Sequence, residues 1–158
     1  MSRVPAAQRD VRAQRRAFGP ELARVGLGAF VAFAGLAHLS FAREEFRAQV
    51  PHWFPVDADL VIVTSGVVEL VLGLAFIALP RNRGLLALLL ALFFVAIFPG
   101  NIAQYVEGTP AFGLTSNAAR LARLFFQPIL IALALWAGGL LSRWTRVGPS
   151  KPRVGSRT

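Results

Sequence analysis

The amino-acid sequence predicts an all-α protein in which four helices cross a membrane as one bundle. Hydrophobic residues make up 55% of the 158 residues and charged residues only 16%, which is too little charge to cover the surface of a soluble domain of this size. The mean hydropathy is +0.56. The hydrophobic residues also fall into four long stretches, and about 20 successive apolar residues are what a helix needs to cross a bilayer.

The four predicted spans cover residues 22–41, 58–79, 84–102 and 119–141. Asp57 directly precedes the second span, where its carboxylate can cap the helix and favour a helix start. The turn over residues 80–84 is short, so the second and third helices are expected to be antiparallel neighbours. We therefore expect one transmembrane domain over residues 21–142, between basic tails over residues 1–20 and 143–158.

The distribution of basic residues predicts the orientation of the bundle. Arginine and lysine lie mainly in the two tails and in the turn over residues 81–83, whereas the connections over residues 42–57 and 100–118 are balanced or acidic. Basic connections stay on the cytoplasmic side of a membrane. Both termini are therefore predicted to be cytoplasmic, in an inner (plasma) membrane of the bacterial type.

Charge and composition also argue against several functions. The net charge is +9, but most of the basic residues lie in the two tails and one short turn without interleaved aromatic residues, so nucleic-acid binding is not expected. The chain contains no cysteine, so thiol chemistry and iron–sulfur ligation are not available to it. Too few histidines and carboxylates are present for a metal site. No motif identifies catalytic residues, and the chain is not expected to be an enzyme on its own.

Five polar side chains stand out within the predicted spans, where such groups are costly unless they face the bundle interior or a watery cavity. They are His38, Glu69, Asn101, Arg123 and Gln127. Gly66 and Gly73 share a helix face with Glu69, which lets another helix approach closely. Arg123 and Gln127 are one turn apart on the fourth helix, and Arg123 is expected to extend toward Glu69, because these two groups need either each other or protonation to lie within the membrane.

Two interpretations of these five residues remain open at this stage. They form either a polar pocket for a ligand or a structural network that fixes which helix packs on which. Pro99 frees the carbonyl of Val95 and predicts a kink in the third helix near the polar residues. His38 and Gln104 lie nearer the interface, where water and lipid headgroups are expected to satisfy them.

Several segments, in the same order along the chain, resemble the DoxX family of small membrane proteins. The first helix and the connection after it contribute GLAH (35–38) and VPHWFP (50–55), and the second helix contributes GVVELVLGL (66–74). The end of the third helix reads FPGNI (98–102) and the start of the fourth reads RLFFQP (123–128). The resemblance covers residues 25–136. Phe125 departs from it, since the family often has proline there, and Gly100 replaces a more usual alanine.

The resemblance implies four spans and a redox connection. Some relatives are linked to thiosulfate:quinone oxidoreductase and others to membrane complexes that handle oxidative stress, whereas distant eukaryotic relatives are assembly chaperones. We therefore expect a membrane subunit or anchor of a quinone-linked redox assembly, embedded in a lipid bilayer with a redox partner protein or a second copy. No cofactor is evident in the sequence, and quinone is the one the resemblance allows. The alternatives are a non-catalytic assembly protein and a small-solute or proton pathway.

Overall fold

The computed structural model describes residues 6–113 and 115–141, with side chains from residue 18 onward. Within these ranges the chain is helical and contains no β-strand. The helices are α1 (Ala6–Leu39), α2 (Arg43–Arg47), α3 (Ala58–Ala78), α4 (Arg83–Glu107) and α5 (Asn117–Ala137), with a 3-10 turn over Pro80–Asn82 before α4. Four segments are long and apolar enough to span a membrane: Phe18–Leu39, Ala58–Ala78, Pro80–Glu107 and Asn117–Ala137. The predicted fold class is confirmed.

Several helix ends differ from the predicted ones. α1 begins at Ala6 rather than at residue 22, because the Ala-, Arg- and Gln-rich sequence before the span has high helix propensity. α4 continues past residue 102 to Glu107 and ends at Gly108, which has a φ of 69° and so provides a left-handed C-terminal cap. α5 ends at Ala137, before residue 141. Residues 1–5 and 142–158, the remainder of the predicted tails, lie outside the described residues.

Glycines bring α1 and α3 into backbone contact. A Cβ atom added to Gly35 would lie 2.5 Å from the carbonyl oxygen of Gly66, and one added to Gly73 would lie 2.5 Å from the backbone nitrogen of Ala32. Real Cβ atoms do not approach backbone this closely, so only glycine fits at these two crossings. The close approach predicted for the face of Gly66 and Gly73 is confirmed, and its partner is α1.

The apolar side chains divide into a core and an outward-facing surface. Leu27, Phe76, Leu90 and Ala134 belong to a buried cluster that draws on α1, α3, α4 and α5. Many other large apolar side chains point outward, among them Phe33, which is 61% exposed. So much outward apolar surface is unfavourable in water and suits the hydrocarbon of a bilayer. The four long helices therefore lie in a membrane.

One end of the bundle, called here the α2 end, holds α2 and the connections over residues 48–57 and 108–116. Asp57 accepts a hydrogen bond from the Leu60 backbone nitrogen at 3.0 Å, which confirms it as the cap of α3. Arg47 of α2 donates to Asp59 at 2.5 Å. This hydrogen bond, with the negative charges of Asp59 and Glu44, holds the pKa of Arg47 above its ordinary value. The short helix α2 is thereby attached to the start of α3.

Candidate functional site

A cavity of about 880 Å³ lies toward the α2 end of the bundle. All four spans, α2 and the adjoining connections line it, and much of its wall consists of aromatic rings, including those of Phe30, Phe46, Phe94, Phe112 and Phe126. Its volume is in the range of small-molecule sites in proteins. The polar side chains predicted from the sequence all line this one cavity: His38, Glu69, Asn101, Arg123 and Gln127.

His38 and Glu69 meet where the glycines bring α1 and α3 together. Both are buried, with 8% and 5% of their surface exposed. The Nδ1 atom of His38 lies 2.9 Å from Glu69 Oε2 and 2.9 Å from the carbonyl oxygen of Ala34. Since two oxygen acceptors surround Nδ1, we assign the ring hydrogen to that nitrogen. The hydrogen bond goes to Ala34, and Glu69 Oε2 finds no hydrogen-bond partner among the described residues.

Aromatic rings connect His38 to the opposite wall of the cavity. Phe46 of α2 stacks on the His38 ring with 3.3 Å between centroids and 17° between planes. Phe112, in the connection before α5, packs edge-on against Phe46 at 4.8 Å. The Arg123 guanidinium in turn lies 4.8 Å above the Phe112 ring, which is cation–π geometry. These contacts lead from α1 through α2 to α5 along the α2 end of the cavity.

Phe112 has an unusual backbone conformation. Its φ is 52°, a left-handed value that residues other than glycine rarely adopt. Its backbone nitrogen donates to the Glu45 carboxylate at 2.5 Å. This hydrogen bond and the two ring contacts hold the residue in a conformation it would not otherwise favour.

Asn101 and Gln127 form a separate pair that joins α4 to α5. The Nδ2 atom of Asn101 donates to Gln127 Oε1 at 3.0 Å, and Gln127 Nε2 donates to the carbonyl oxygen of Phe94 at 2.7 Å. This carbonyl is one residue before that of Val95, which Pro99 leaves without its helical donor. Both side chains are buried, and each has a partner within the protein.

The predicted pairing of Arg123 with Glu69 is wrong. His38 occupies the position beside Glu69, and in the described part of the chain no carboxylate lies within ion-pair distance of Arg123. The reason is the packing order: glycines hold α1 against α3, whereas α5 packs on α4 and on α1. Arg123 therefore keeps its charge at the cavity wall without an acidic neighbour.

Some residues around the cavity could not be recognised from the sequence. Phe46 lies outside the predicted spans. The only signal for it was the pattern of residues 43–47, an aromatic residue among charged ones, which is typical of a short amphipathic helix. The prediction that water and headgroups satisfy His38 and Gln104 is also wrong: His38 is 8% exposed and lies beside Glu69, and Gln104 is 2% exposed. The Gln104 side chain donates to the Thr109 carbonyl at 3.4 Å. Arg120, also buried, donates to the Thr115 carbonyl at 3.3 Å and so holds the connection before α5.

A buried charge at the other end of the bundle was also missed. Arg24 of α1 is 3% exposed and pairs with Glu21 at 2.5 Å. Its guanidinium donates to the carbonyl oxygens of Phe76 and Ile77, which lie in the last turn of α3. Such a cation satisfies carbonyls that a helix end leaves free. Arg24 is therefore a structural residue and does not belong to the cavity.

Comparison with known proteins adds one finding. No curated protein matches the chain, and no solved structure matches it. The profile of DUF8561, a domain of unknown function, matches residues 27–138, which is more than half of the chain and includes all five polar cavity residues. The DoxX family does not occur in these results, and the resemblance to it stays a prediction. The chain belongs to the DUF8561 family.

Proposed function

We propose that this protein binds a lipid-soluble molecule of the quinone class in the cavity at the α2 end. The observation that carries the proposal is the convergence of polar side chains from all four spans on one cavity with aromatic walls. Ligand sites typically combine a mostly apolar lining with a few polar groups that fix orientation. A quinone matches this division, because its flat ring suits aromatic walls and its two oxygens suit isolated polar groups.

The position of the cavity supports a ligand that arrives through the lipid. Phe30, Phe33 and Phe126 line the cavity and are also strongly exposed on the outer surface of the bundle. An apolar tail can therefore leave the cavity between these side chains and remain in the hydrocarbon. The ring would stay among the polar groups.

The chain needs a partner for any electron transfer. It contains no cysteine and no electron carrier is evident in its sequence, so electrons would pass between the bound quinone and another protein. Together with the resemblance to the DoxX family, this supports the role of a membrane subunit or anchor in a redox assembly. From the basic residues outside the spans, we place both termini in the cytoplasm and the bundle in a bacterial-type inner membrane.

A non-catalytic assembly role is the second candidate. The pair of Asn101 and Gln127 favours it, because these buried side chains satisfy each other across α4 and α5 as a purely architectural contact would. In that case the cavity would have no ligand of its own. The protein would act on a partner through its exposed apolar helix faces.

The experiment that tests the proposal is purification of the tagged protein from its native membrane in mild detergent. We expect about one molecule of the quinone class, oxidised or reduced, per chain in the extracted lipid, with an oxidoreductase among the co-purified proteins, and a lower content of this ligand in Glu69→Ala and Arg123→Ala. Glu107→Ala is the matched control, since this carboxylate also faces a histidine (His52, at 3.8 Å) but does not line the cavity. A quinone content that equals the detergent background would contradict the proposal and favour the assembly role.

A further inference from the structure

The polar side chains of the cavity divide into those that satisfy one another and those that do not. Asn101 and Gln127 bond to each other and to the Phe94 carbonyl. Glu69, on α3, has an oxygen without a hydrogen-bond partner among the described residues, although its side chain is only 7% exposed. Arg123, on α5, lies over the Phe112 ring, and no carboxylate of the described residues lies within ion-pair distance of it. Two unmatched groups therefore stand on different walls of one cavity.

Glu69 Oε2 and the Arg123 guanidinium need hydrogen-bond partners of opposite kind. A carboxylate oxygen accepts hydrogen bonds, whereas a guanidinium only donates them and remains charged in proteins. A buried polar atom without a partner is costly, and more so in a membrane. The ligand that relieves both groups carries a hydrogen-bond donor on one side and an oxygen acceptor on another.

We infer that the cavity selects the reduced, hydroxyl-bearing form of its ligand, a hydroquinone, over the oxidised quinone. This inference rests on the proposed function and names the form that binds. One ring hydroxyl donates to Glu69 Oε2, and the other ring oxygen accepts from Arg123. His38 Nδ1 lies 2.9 Å from both the Ala34 carbonyl oxygen and Glu69 Oε2. With its hydrogen assigned to the bond with Ala34, Glu69 Oε2 keeps the capacity to accept a hydrogen bond from the hydroxyl.

Other amphiphiles satisfy the site only in part. A quinone has acceptor oxygens alone, so one of them would face Glu69 Oε2 as acceptor against acceptor. A fatty acid would neutralise Arg123 but, once ionised, has no donor for Glu69. The aromatic walls contributed by Phe46 and Phe112 also suit a flat ring better than a flexible acyl chain.

The test compares three ligands on the purified protein in lipid nanodiscs, without oxygen, by equilibrium dialysis. The ligands are a decyl-substituted benzohydroquinone, the matching benzoquinone, and the dimethyl ether of the hydroquinone, which keeps the oxygens but lacks donors. We expect the hydroquinone to bind about tenfold more tightly than either of the others, because a site built around a hydroxyl discriminates against analogues without one. This comparison uses the unaltered protein and needs no variant.

Variants of Glu69 and Arg123 test the acceptor role and the donor role separately. Glu69→Gln is expected to remove the preference for the hydroquinone while quinone binding persists, and Glu107→Gln, at the other His–Glu pair, is expected to keep it. Arg123→Gln is expected to weaken all three ligands alike, since all carry an acceptor oxygen, and Arg123→Lys to restore part of the binding. Equal or tighter binding of the quinone overturns the inference and leaves the proposed function standing. Binding of none of the three overturns the proposed function itself.

Discussion

His38 on α1 lies with its Nδ1 atom 2.9 Å from the Oε2 atom of Glu69 on α3. This contact depends on the absence of side chains beside it. A Cβ atom on Gly66, one turn before Glu69, would lie 2.7 Å from His38 Cβ. The carboxylate and the imidazole therefore meet because glycine lets the two helices touch. This packing contact buries Glu69 at the cavity wall.

The glycine crossing gives the first prediction. Gly35→Ala places a methyl group 2.5 Å from the Gly66 carbonyl oxygen, so α1 and α3 must separate. We expect a loss of about 1 to 3 kcal/mol in the free energy of unfolding, measured by reversible unfolding in mixed SDS micelles. Gly26→Ala on the same helix is the control, since nothing lies within 4 Å of the added atom. An equal loss in both variants would contradict the packing argument.

The second prediction concerns the hydrogen bond between Asn101 and Gln127. In a double-mutant cycle with Asn101→Leu and Gln127→Leu, we expect a coupling of about 0.6 to 1.7 kcal/mol, the range found for side-chain hydrogen bonds between membrane helices. Gln127→Leu alone should cost more than Asn101→Leu, because it also removes the donor to the Phe94 carbonyl. The same unfolding assay measures all four proteins. Additive effects would mean that the pair contributes no stability.

The third prediction concerns the position of Phe46. Its ring stacks on His38 and lines the cavity, so Phe46→Ala should open the cavity at the α2 end. The chain lacks cysteine, so Ala37→Cys provides a single reporter at a cavity position that is 6% exposed. We expect a water-soluble maleimide to label it several-fold faster when Phe46→Ala is added. Phe18→Ala, far from the α2 end, is the control, and unchanged labelling in both would show that Phe46 does not cover the cavity.

The fourth prediction concerns the orientation of the bundle in the membrane. His52, whose side chain is 91% exposed, lies in the connection between α2 and α3, and Asn82 lies in the turn between α3 and α4. With both termini in the cytoplasm, a membrane-impermeant maleimide added to intact cells should label His52→Cys and spare Asn82→Cys. After the cells are permeabilised, both should react. Labelling of Asn82→Cys alone in intact cells would reverse the orientation.

Much of the fold could be predicted because a bilayer imposes simple rules on sequence. A helix must be long and apolar to cross it, and those runs identify α3 and most of the other spans. Capping is equally local, since Asp57 needs only the backbone three residues ahead. The ends of α1 and α4 were misplaced where polar residues extend a helix beyond its apolar part, and α5 stops early, before Gly138.

The sequence by itself determined that four helices lie in a membrane and that five polar residues face inward, because the bilayer penalises a polar side chain that points into lipid. Only the tertiary structure decided which of them meet. Helical periodicity assigns Glu69 to an inward face, but the helix opposite that face depends on backbone contact at glycines 35 and 66. That contact pairs Glu69 with His38 and leaves Arg123 on Phe112, since partner choice is a property of packing rather than of any one helix.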